Sequence, residues 1–391
     1  MKNNIRILYG MSFLQGMVFY ASVATLYRTS AGLSLFQISL IESISYVFTI
    51  AFELPWGILA DRIGYRKTMV ICSFLFFLSK IVFWLAADFP MFLLERILIS
   101  IVISGLSGVD TSILYLSADG KNSQRIFGIY GALGTAGMIL ASLVCALWIG
   151  SDYRLAGFLT IFPYAAAAVL SLFLSEVHPD HTASRPNRRT ILAALKETLQ
   201  NRRLLCLVIG AGLMSETVHM LTVFLNQPKY TATGMDAHAI SLVYVLMTLL
   251  GLLQACSSRL TGRLGSRKAG TLLFAAAGAA SLLLAWTGRS VSAVISIAVI
   301  EISYSLFQPL FQAREHDSIH AADRATAISM AALFMDLTAV IVDLVMGRIA
   351  DSSLSASILA GTVFLAAGLV CFRLGQPSAP ENSVCPPTDT L

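Results

Sequence analysis

The stretch that decides the fold is Gly57-Ile58-Leu59-Ala60-Asp61-Arg62-Ile63-Gly64-Tyr65-Arg66-Lys67, a short charged segment between two long apolar ones. Its glycines, Gly57 and Gly64, allow close approach of the backbone and a sharp turn. Asp61 can accept hydrogen bonds from the free N–H groups at the start of a neighbouring helix. The three basic residues suit the headgroups of a lipid bilayer. The segment therefore predicts a tight, charged connection at a membrane surface.

Apolar segments of membrane-spanning length recur on both sides of this stretch. The chain has 391 residues, of which 56% are hydrophobic and 13% are charged, whereas soluble domains carry roughly 25% charged residues. A helix needs about 20 residues to cross a ~30 Å hydrocarbon core. We therefore predict an all-α membrane protein with twelve transmembrane helices, at 5–27, 34–59, 68–87, 90–117, 125–149, 154–175, 204–226, 238–260, 269–287, 290–313, 326–348 and 354–373.

The spans fall into two sets of six on either side of the longest polar stretch. We predict an N-terminal six-helix bundle at 1–175, a cytoplasmic linker at 176–203 and a C-terminal six-helix bundle at 204–373. Residues 374–391 are rich in proline and small polar residues, a composition typical of disordered segments. They are predicted to form a disordered cytoplasmic tail.

The basic residues predict the orientation of the chain. With the N-terminus placed inside, 20 of the 27 Lys and Arg residues lie on the inner side, five on the outer side and two within spans. Inner loops carry the excess of positive charge in membrane proteins. Both termini are therefore predicted to lie in the cytoplasm, with the protein in the plasma (inner) membrane.

An internal repeat links the two sets of six spans. Ile38-Ser39-Leu40 recurs as Ile240-Ser241-Leu242 at an offset of 202, and the segment 61–67 recurs at 262–268 at an offset of 201. Arg125 and Arg324, at an offset of 199, both lie at the start of a helix. Six helices separate the members of each pair, so both halves have the same orientation. The repeat predicts two parallel six-helix bundles.

The segment 57–67 resembles the signature loop between helices 2 and 3 of the major facilitator superfamily, of the form G-x-L-A-D-R-x-G-R-K. The stretches Glu53-Leu54-Pro55 and Tyr115 to Gly128 are similar to bacterial drug and sugar efflux members of that superfamily. The resemblance covers the membrane region up to about residue 373. It implies the major facilitator fold and transport by alternating access.

In this family the signature loop braces the cytoplasmic gate in the outward-facing state. The resemblance carries that gating role to six residues: Gly57, Asp61, Arg62, Gly64, Arg66 and Lys67. The alternative is that the segment is a basic turn that only sets the topology, but that interpretation accounts poorly for Asp61. In the second half Gly262 takes the place of Asp61, so the two gates need not be equal.

Two further family motifs match less well. The family arginine of helix 4 corresponds to Arg96, but Ser100 stands where the family has glycine. The antiporter motif of helix 5 expects a proline, whereas this chain has a proline-free stripe made of Gly128, Gly131, Gly134 and Gly137. We interpret the stripe as a helix contact rather than a coupling element.

Eight acids lie within or near the spans, against the bases Lys80 and Arg96. A charge at the bilayer centre costs roughly 2.5–3.5 kcal/mol, so these side chains should pair, face a cavity or be protonated. The resemblance places helix 7 on the cavity, which makes Glu216 the first candidate for a proton or substrate site, followed by Asp336. The remaining candidates are Glu301, Glu42, Asp110 and Arg96. For Asp110 and Arg96, as for Glu53 and Glu95, structural pairing is the favoured interpretation.

These features predict a secondary transporter that exports a small amphipathic or cationic molecule in exchange for protons. Proton-coupled uptake stays open, as does a membrane receptor or enzyme. The six cysteines show no metal-ligand or redox spacing, and no catalytic constellation is present, so we expect no enzyme activity, no metal and no cofactor. The expected partners are a small-molecule substrate, protons and the bilayer, with no nucleic acid, and the expected state is a monomer.

Overall fold

The computed structural model of the protein describes residues 2–118, 123–177, 199, 201–318 and 324–376, and every regular element in these ranges is helical. Twelve helical stretches are long and apolar enough to cross a membrane. The predicted all-α fold with twelve spans is confirmed. Most of the predicted linker and tail lies outside the described residues.

The first six spans are labelled α1 to α6. Three of them are interrupted or end in a wider helical turn. The bounds are α1, Lys2–Gly16 and Ala24–Ser30 with the 3-10 turn Ala21–Val23 between them; α2, Leu35–Ile63; α3, Tyr65–Leu85; α4, Phe89–Leu106 and Val109–Ser117; α5, Ser123–Val144 with the π-helical turn Cys145–Ile149; and α6, Tyr153–Ser171.

The second six spans, α7 to α12, follow the predicted linker. A short helix, Asn226–Ala232, lies between α7 and α8. The bounds are α7, Arg202–His219 with the π-helical turn Met220–Phe224; α8, Ala237–Gly251 and Ser257–Leu264 with the 3-10 turn Leu252–Cys256; α9, Ser266–Trp286; α10, Ser290–Ser318; α11, Arg324–Ser352; and α12, Leu354–Gly375.

The charged segment 57–67 is almost entirely helical, which corrects its description as a loop. Helix α2 continues to Ile63, Gly64 alone makes the turn with φ 93°, and α3 begins at Tyr65. Only glycine adopts this conformation without strain. Gly265 makes the same turn between α8 and α9, with φ 75°. The two turns are 201 positions apart, as the repeat predicts.

Helix capping follows the same repeat. Ser34 caps the N-terminus of α2 and Asp236 caps that of α8, at an offset of 202. Asp152 caps α6 and Ser353 caps α12, at an offset of 201. Each side chain accepts a hydrogen bond from a backbone N–H that the helix leaves free. The capping positions extend the internal repeat beyond the motifs visible in the sequence.

An even number of spans places both termini on one side of the membrane. We call the side with the Gly64 and Gly265 turns the terminal face and the side with the Asp152 and Asp236 caps the distal face. The most extensive contacts between the two halves lie along α2 against α11 and α5 against α8, and smaller contacts join α1 to α8 and to the Asn226–Ala232 helix. These two seams enclose the space between the halves.

The space between the halves is closed at the distal face. The side-chain oxygen of Gln227 accepts hydrogen bonds from the N–H groups of Thr25 and Leu26, at 2.9 and 3.2 Å. The hydroxyls of Ser22 and Ser241 lie 2.9 Å apart. Among the described residues, all hydrogen bonds between the halves lie at mid-membrane or on the distal side. The halves are therefore joined distally and parted towards the terminal face.

Two of the distal contacts are equivalent under the repeat. The Phe36 N–H donates to the Asp351 carboxylate at 2.9 Å across the α2–α11 seam. At the α5–α8 seam, His238 packs on Gly150 and forms a 2.6 Å hydrogen bond with the Ala146 carbonyl. Residue 36 corresponds to 238, and 351 to 150, at the repeat offsets. Equivalent positions at the two seams are therefore joined by different hydrogen bonds.

The glycine stripe of α5 divides into two parts. A Cβ atom on Gly134 would lie 3.1 Å from the Ser12 hydroxyl, and one on Gly137 would lie 2.2 Å from the Phe13 carbonyl oxygen. These two glycines pack against α1. Gly128 and Gly131 have no such neighbour within 4 Å. The helix-contact interpretation therefore applies to the distal half of the stripe only.

Candidate functional site

Buried charges of the first half form ion pairs around Glu42. Arg28, from α1, lies 3.7 Å from Glu42 on α2 and 3.8 Å from Glu95 on α4. Arg96, the next residue on α4, also pairs with Glu42. Arg28, Glu42 and Glu95 are at most 5% exposed. Arg28 is one of the five basic residues that the sequence places on the outer side, and its burial removes it from the outer loop charges.

Lys80 is a third base of the first half, and it is buried. Its ammonium group donates to the Tyr20 hydroxyl at 3.0 Å. It also lies 4.8 to 5.5 Å from the ring centres of Tyr20, Phe76 and Tyr164. A cation over aromatic faces is stabilised by about 0.5–2 kcal/mol. The aromatic side chains therefore offset part of the cost of burying this charge.

Glu216 links the two halves at mid-membrane. Tyr46 on α2 donates its hydroxyl to one carboxylate oxygen of Glu216 at 2.9 Å. The other oxygen lies 3.0 Å from Nδ1 of His219, one turn further along α7. Glu216 is 4% exposed, whereas the His219 side chain is 34% exposed. A buried acid of the second half is therefore hydrogen-bonded to the first half and to a partly exposed histidine.

Asp343 on α11 is fully buried beside Glu216. The two carboxyl groups are close enough to share a hydrogen bond. When both groups are ionised, each can only accept hydrogen bonds. Neither oxygen of Asp343 has a hydrogen-bond donor among the described residues. Asp343 also interacts electrostatically with Glu42 and Arg96. The acids of the second half thus adjoin the ion pairs of the first.

We call this assembly the central cluster. It joins buried charges of α1, α2, α3 and α4 to those of α7 and α11. Its members are Arg28, Glu42, Tyr46, Lys80, Glu95, Arg96, Glu216, His219 and Asp343.

Three of the predicted acids lie outside the central cluster. Glu301 on α10 is half-buried, close to the hydroxyls of Ser305 and Thr222. Asp336 on α11 is half-buried and interacts with Glu53 and Glu216 over a longer range. Asp110 on α4 accepts a hydrogen bond from the Tyr130 hydroxyl at 3.0 Å. This last contact is a structural pairing of the kind expected for Asp110.

A small cavity opens in the second half on the terminal side of the cluster. It has a volume of about 190 Å³. Its walls come from α7, α10 and α11 and include Tyr304, Gln308, Gln312 and Glu315. Ser215 shares a 2.9 Å hydrogen bond with the Tyr304 hydroxyl. Hydroxyl, amide and carboxyl groups on an aromatic wall can bind a small polar molecule.

The predicted gating residues surround the start of α3. The Arg66 N–H donates to the Glu176 carboxylate at 3.1 Å, and the Arg66 side chain donates to the Leu172 carbonyl at 2.9 Å. A Cβ on Gly64 would lie 2.8 Å from a Glu176 oxygen. Arg62 and Lys67 are exposed, and the side chain of Asp61 and the surroundings of Gly57 lie outside the described part. Glu176 is thus the observed acid at this helix end.

Sequence reasoning selected Glu216, Glu42 and Arg96 but did not select Asp343 as a site residue. One signal was available, because Asp336 and Asp343 are seven residues apart and share a face of α11. Arg28 follows the first predicted span directly, so nothing in the sequence separates it from a surface charge. Among the described residues, no group of three or more side chains has the composition of a metal site.

Comparisons with known proteins agree with this architecture. The family model of the Major Facilitator Superfamily matches residues 7–342. Among solved structures, the nucleoside transporter NupG is similar with a TM-score of 0.81 and 16% identity, over 95% of this chain and 98% of that one.

Two further structures show the same fold. A bacterial homologue of the human lysosomal transporter Spinster, inward-facing and occupied, has a TM-score of 0.74 and 17% identity, over 95% of each chain. A D-xylose-proton symporter has a TM-score of 0.68 and 12% identity, over 93% of this chain and 96% of that one. A search of curated protein sequences found no match.

Proposed function

Because this chain belongs to the Major Facilitator Superfamily, we propose that it exports a small amphipathic or cationic molecule in exchange for protons, by alternating access. The observation that carries the proposal is Glu216, a buried acid bound by Tyr46 of the opposite half and by the partly exposed His219. Gain or loss of charge on Glu216 changes a contact between the halves. Such a contact can couple protonation to conformation.

The charges of the site favour a cationic substrate. Glu216, Asp343, Glu301 and Asp336 all lie in the second half, and His219 is the titratable base beside them. The first half pairs its acids with three bases. An ammonium group that enters between the halves is therefore attracted to the second half. The aromatic wall at Tyr304 suits the apolar part of the same molecule.

The terminal gate belongs to the same proposal. The segment 57–67 ends in the Gly64 turn and places Arg62 and Lys67 at the terminal face. When the terminal face closes, Asp61 is expected to accept hydrogen bonds from a helix end of the second half. Gly262 stands at the equivalent position of the second half and has no carboxylate, so the gate of that half lacks this contact.

We propose that the terminal face is cytoplasmic and that the membrane is the plasma (inner) membrane. The support is the excess of Lys and Arg in the connections on that side. Reporter fusions at Arg188 and after Leu391 should both give a cytoplasmic signal. An external signal at either position would contradict the proposed orientation.

A second candidate is uptake of a neutral hydroxylated solute together with protons. The cavity beside α10 favours it, because Ser215, Gln308 and Gln312 offer uncharged hydrogen-bonding groups. Structural relatives include a nucleoside transporter and a D-xylose-proton symporter. In either case the chain acts as a transporter rather than an enzyme.

The test is transport by the purified protein in liposomes. Radiolabelled organic cations and hydroxylated solutes are screened with an imposed proton gradient, and a protonophore serves as the control. We expect accumulation of a cation on the side from which protons leave, and loss of accumulation with the protonophore. Accumulation of neutral solutes alone, driven with the protons, would replace the first candidate by the second.

The same assay tests the gate. At equal abundance, the Asp61→Asn protein should transport more slowly than the wild type, and Gly262→Ala should have a milder effect.

A further inference from the structure

Asp343 has no partner that explains its burial as an ion. It is 0% exposed, and both of its oxygens are without a hydrogen-bond donor among the described residues. An unpaired carboxylate in such a place is strongly unfavourable. Its strongest electrostatic neighbour is the carboxyl group of Glu216, which has the same charge. One proton between the two carboxyls removes a charge and supplies the missing donor.

The charge balance of the central cluster gives an independent argument. Four buried carboxyl groups, those of Glu42, Glu95, Glu216 and Asp343, face three bases, of which Arg28 and Lys80 are buried and Arg96 has a side chain that is 26% exposed. With neutral His219, the fully ionised cluster carries one excess negative charge. A low-dielectric site favours neutrality. One bound proton makes the cluster neutral.

We propose that Glu216 and Asp343 hold one shared proton, and that Asp343, rather than Asp336, is the second acid of the proton site. The exchange step rests on the function proposed above. When a cationic group of the substrate reaches the pair, the proton leaves to water on the side to which the cavity is open. The ammonium group then forms the ion pair with the carboxylates, and no covalent bond of the substrate changes.

The surroundings of Asp343 determine when the proton is lost. Helix α2 presents Tyr46 and Glu42, α7 presents Glu216 and His219, and α4 presents Arg96. Helix α12, which also packs on α11, has Arg373 as its only charged residue, at its terminal end. The His219 side chain contacts Glu216 and is 34% exposed. It therefore offers the proton a route between the buried carboxyl pair and solvent.

Asp343→Asn is a sharp test because the new amide can donate to Glu216. It keeps the shape of the side chain and provides the donor that the proton provides in the wild type. The variant cluster is neutral without a proton. We therefore expect it to fold and to lose the dependence of stability on this protonation. Glu216→Gln should behave in the same way, because its amide can donate to Asp343.

The first measurement is the unfolding temperature of detergent-purified protein across mildly acidic to mildly alkaline buffers. The wild type holds the shared proton at low pH and loses it as the pH rises, which leaves two buried carboxylates side by side. Its unfolding temperature should therefore fall by several degrees, whereas both amide variants should stay level. Asp351→Asn is the matched control, since it removes an exposed acid from the same helix and should keep the wild-type slope.

The second measurement is the infrared carbonyl band of a protonated carboxyl group at neutral pH, which is independent of any substrate. The band should be present in the wild type and in Asp351→Asn and absent from both amide variants. If it persists in Asp343→Asn, or if that variant keeps the wild-type slope, the shared proton is contradicted. Failure of the liposome screen with the band present would overturn the proposed transport function and leave the proton site standing.

Discussion

Replacing Glu216 by glutamine should abolish proton-driven accumulation of substrate. The amide cannot release a proton, so the contact between Glu216 and Tyr46 no longer changes as the cavity opens to each side. Exchange of substrate down its own gradient needs no proton and should persist at least in part. Transport in proteoliposomes with and without an imposed pH gradient separates the two activities. The driven component should fall to the level of protein-free liposomes.

The matched control for this variant is Asp110→Asn. Asp110 is also an acid within a span, but it bonds to Tyr130 away from the central cluster. This substitution should leave the pH dependence of transport unchanged. If Glu216→Gln keeps the wild-type pH dependence, the coupling site lies elsewhere, and Asp336 and Glu301 become the next acids to replace.

A large loss of stability is expected from Gly137→Ala. The new methyl group would lie 2.2 Å from the Phe13 carbonyl oxygen and 3.3 Å from the Gly16 carbonyl carbon. Both are backbone atoms, so α1 and α5 must move apart. Overpacking of this kind typically costs about 1–3 kcal/mol and occasionally more. Protein abundance in the membrane and the unfolding temperature should both fall, as measured by a fluorescent fusion and by thermal denaturation in detergent.

Gly131→Ala, two turns earlier in the same stripe, provides the comparison. No atom outside its own helix lies within 4 Å of the added methyl group. Alanine favours the helix over glycine by about 1 kcal/mol, so stability should be unchanged or slightly higher. Equal losses in the two variants would show that the stripe is sensitive to any added volume. In that case the contact with α1 would not explain the effect.

The twelve spans could be predicted from the sequence because their length and apolarity are imposed by the bilayer. The repeat could be found because Gly64 and Gly265 keep the same turn in both halves. The breaks in α1 and α4 were not predicted, since both segments remain apolar through the break. At the α4 break Gly108 has φ 77°, a backbone feature that hydropathy does not report.

The candidate site was only partly accessible to sequence reasoning. Glu216 was found because an acid in an apolar span is conspicuous and because the resemblance assigned helix 7 to the cavity. The pairing of Arg28 with Glu42 and Glu95 depends on how α1, α2 and α4 meet. Asp343 and Asp336 are both acids of α11. The sequence does not show that Asp343 is buried beside Glu216 whereas Asp336 is only half-buried, because burial depends on how the helices pack.

The distal closure has a consequence for ionic strength. Most of its hydrogen bonds join uncharged groups, such as the Gln227 amide with the Thr25 and Leu26 backbone and Ser22 with Ser241. Dissolved salt screens exposed charges over about 8 Å at physiological concentration, and at this face it acts mainly on the exposed Asp351. The closed face should therefore keep nearly the same strength in dilute and in saline surroundings, in whichever compartment it lies.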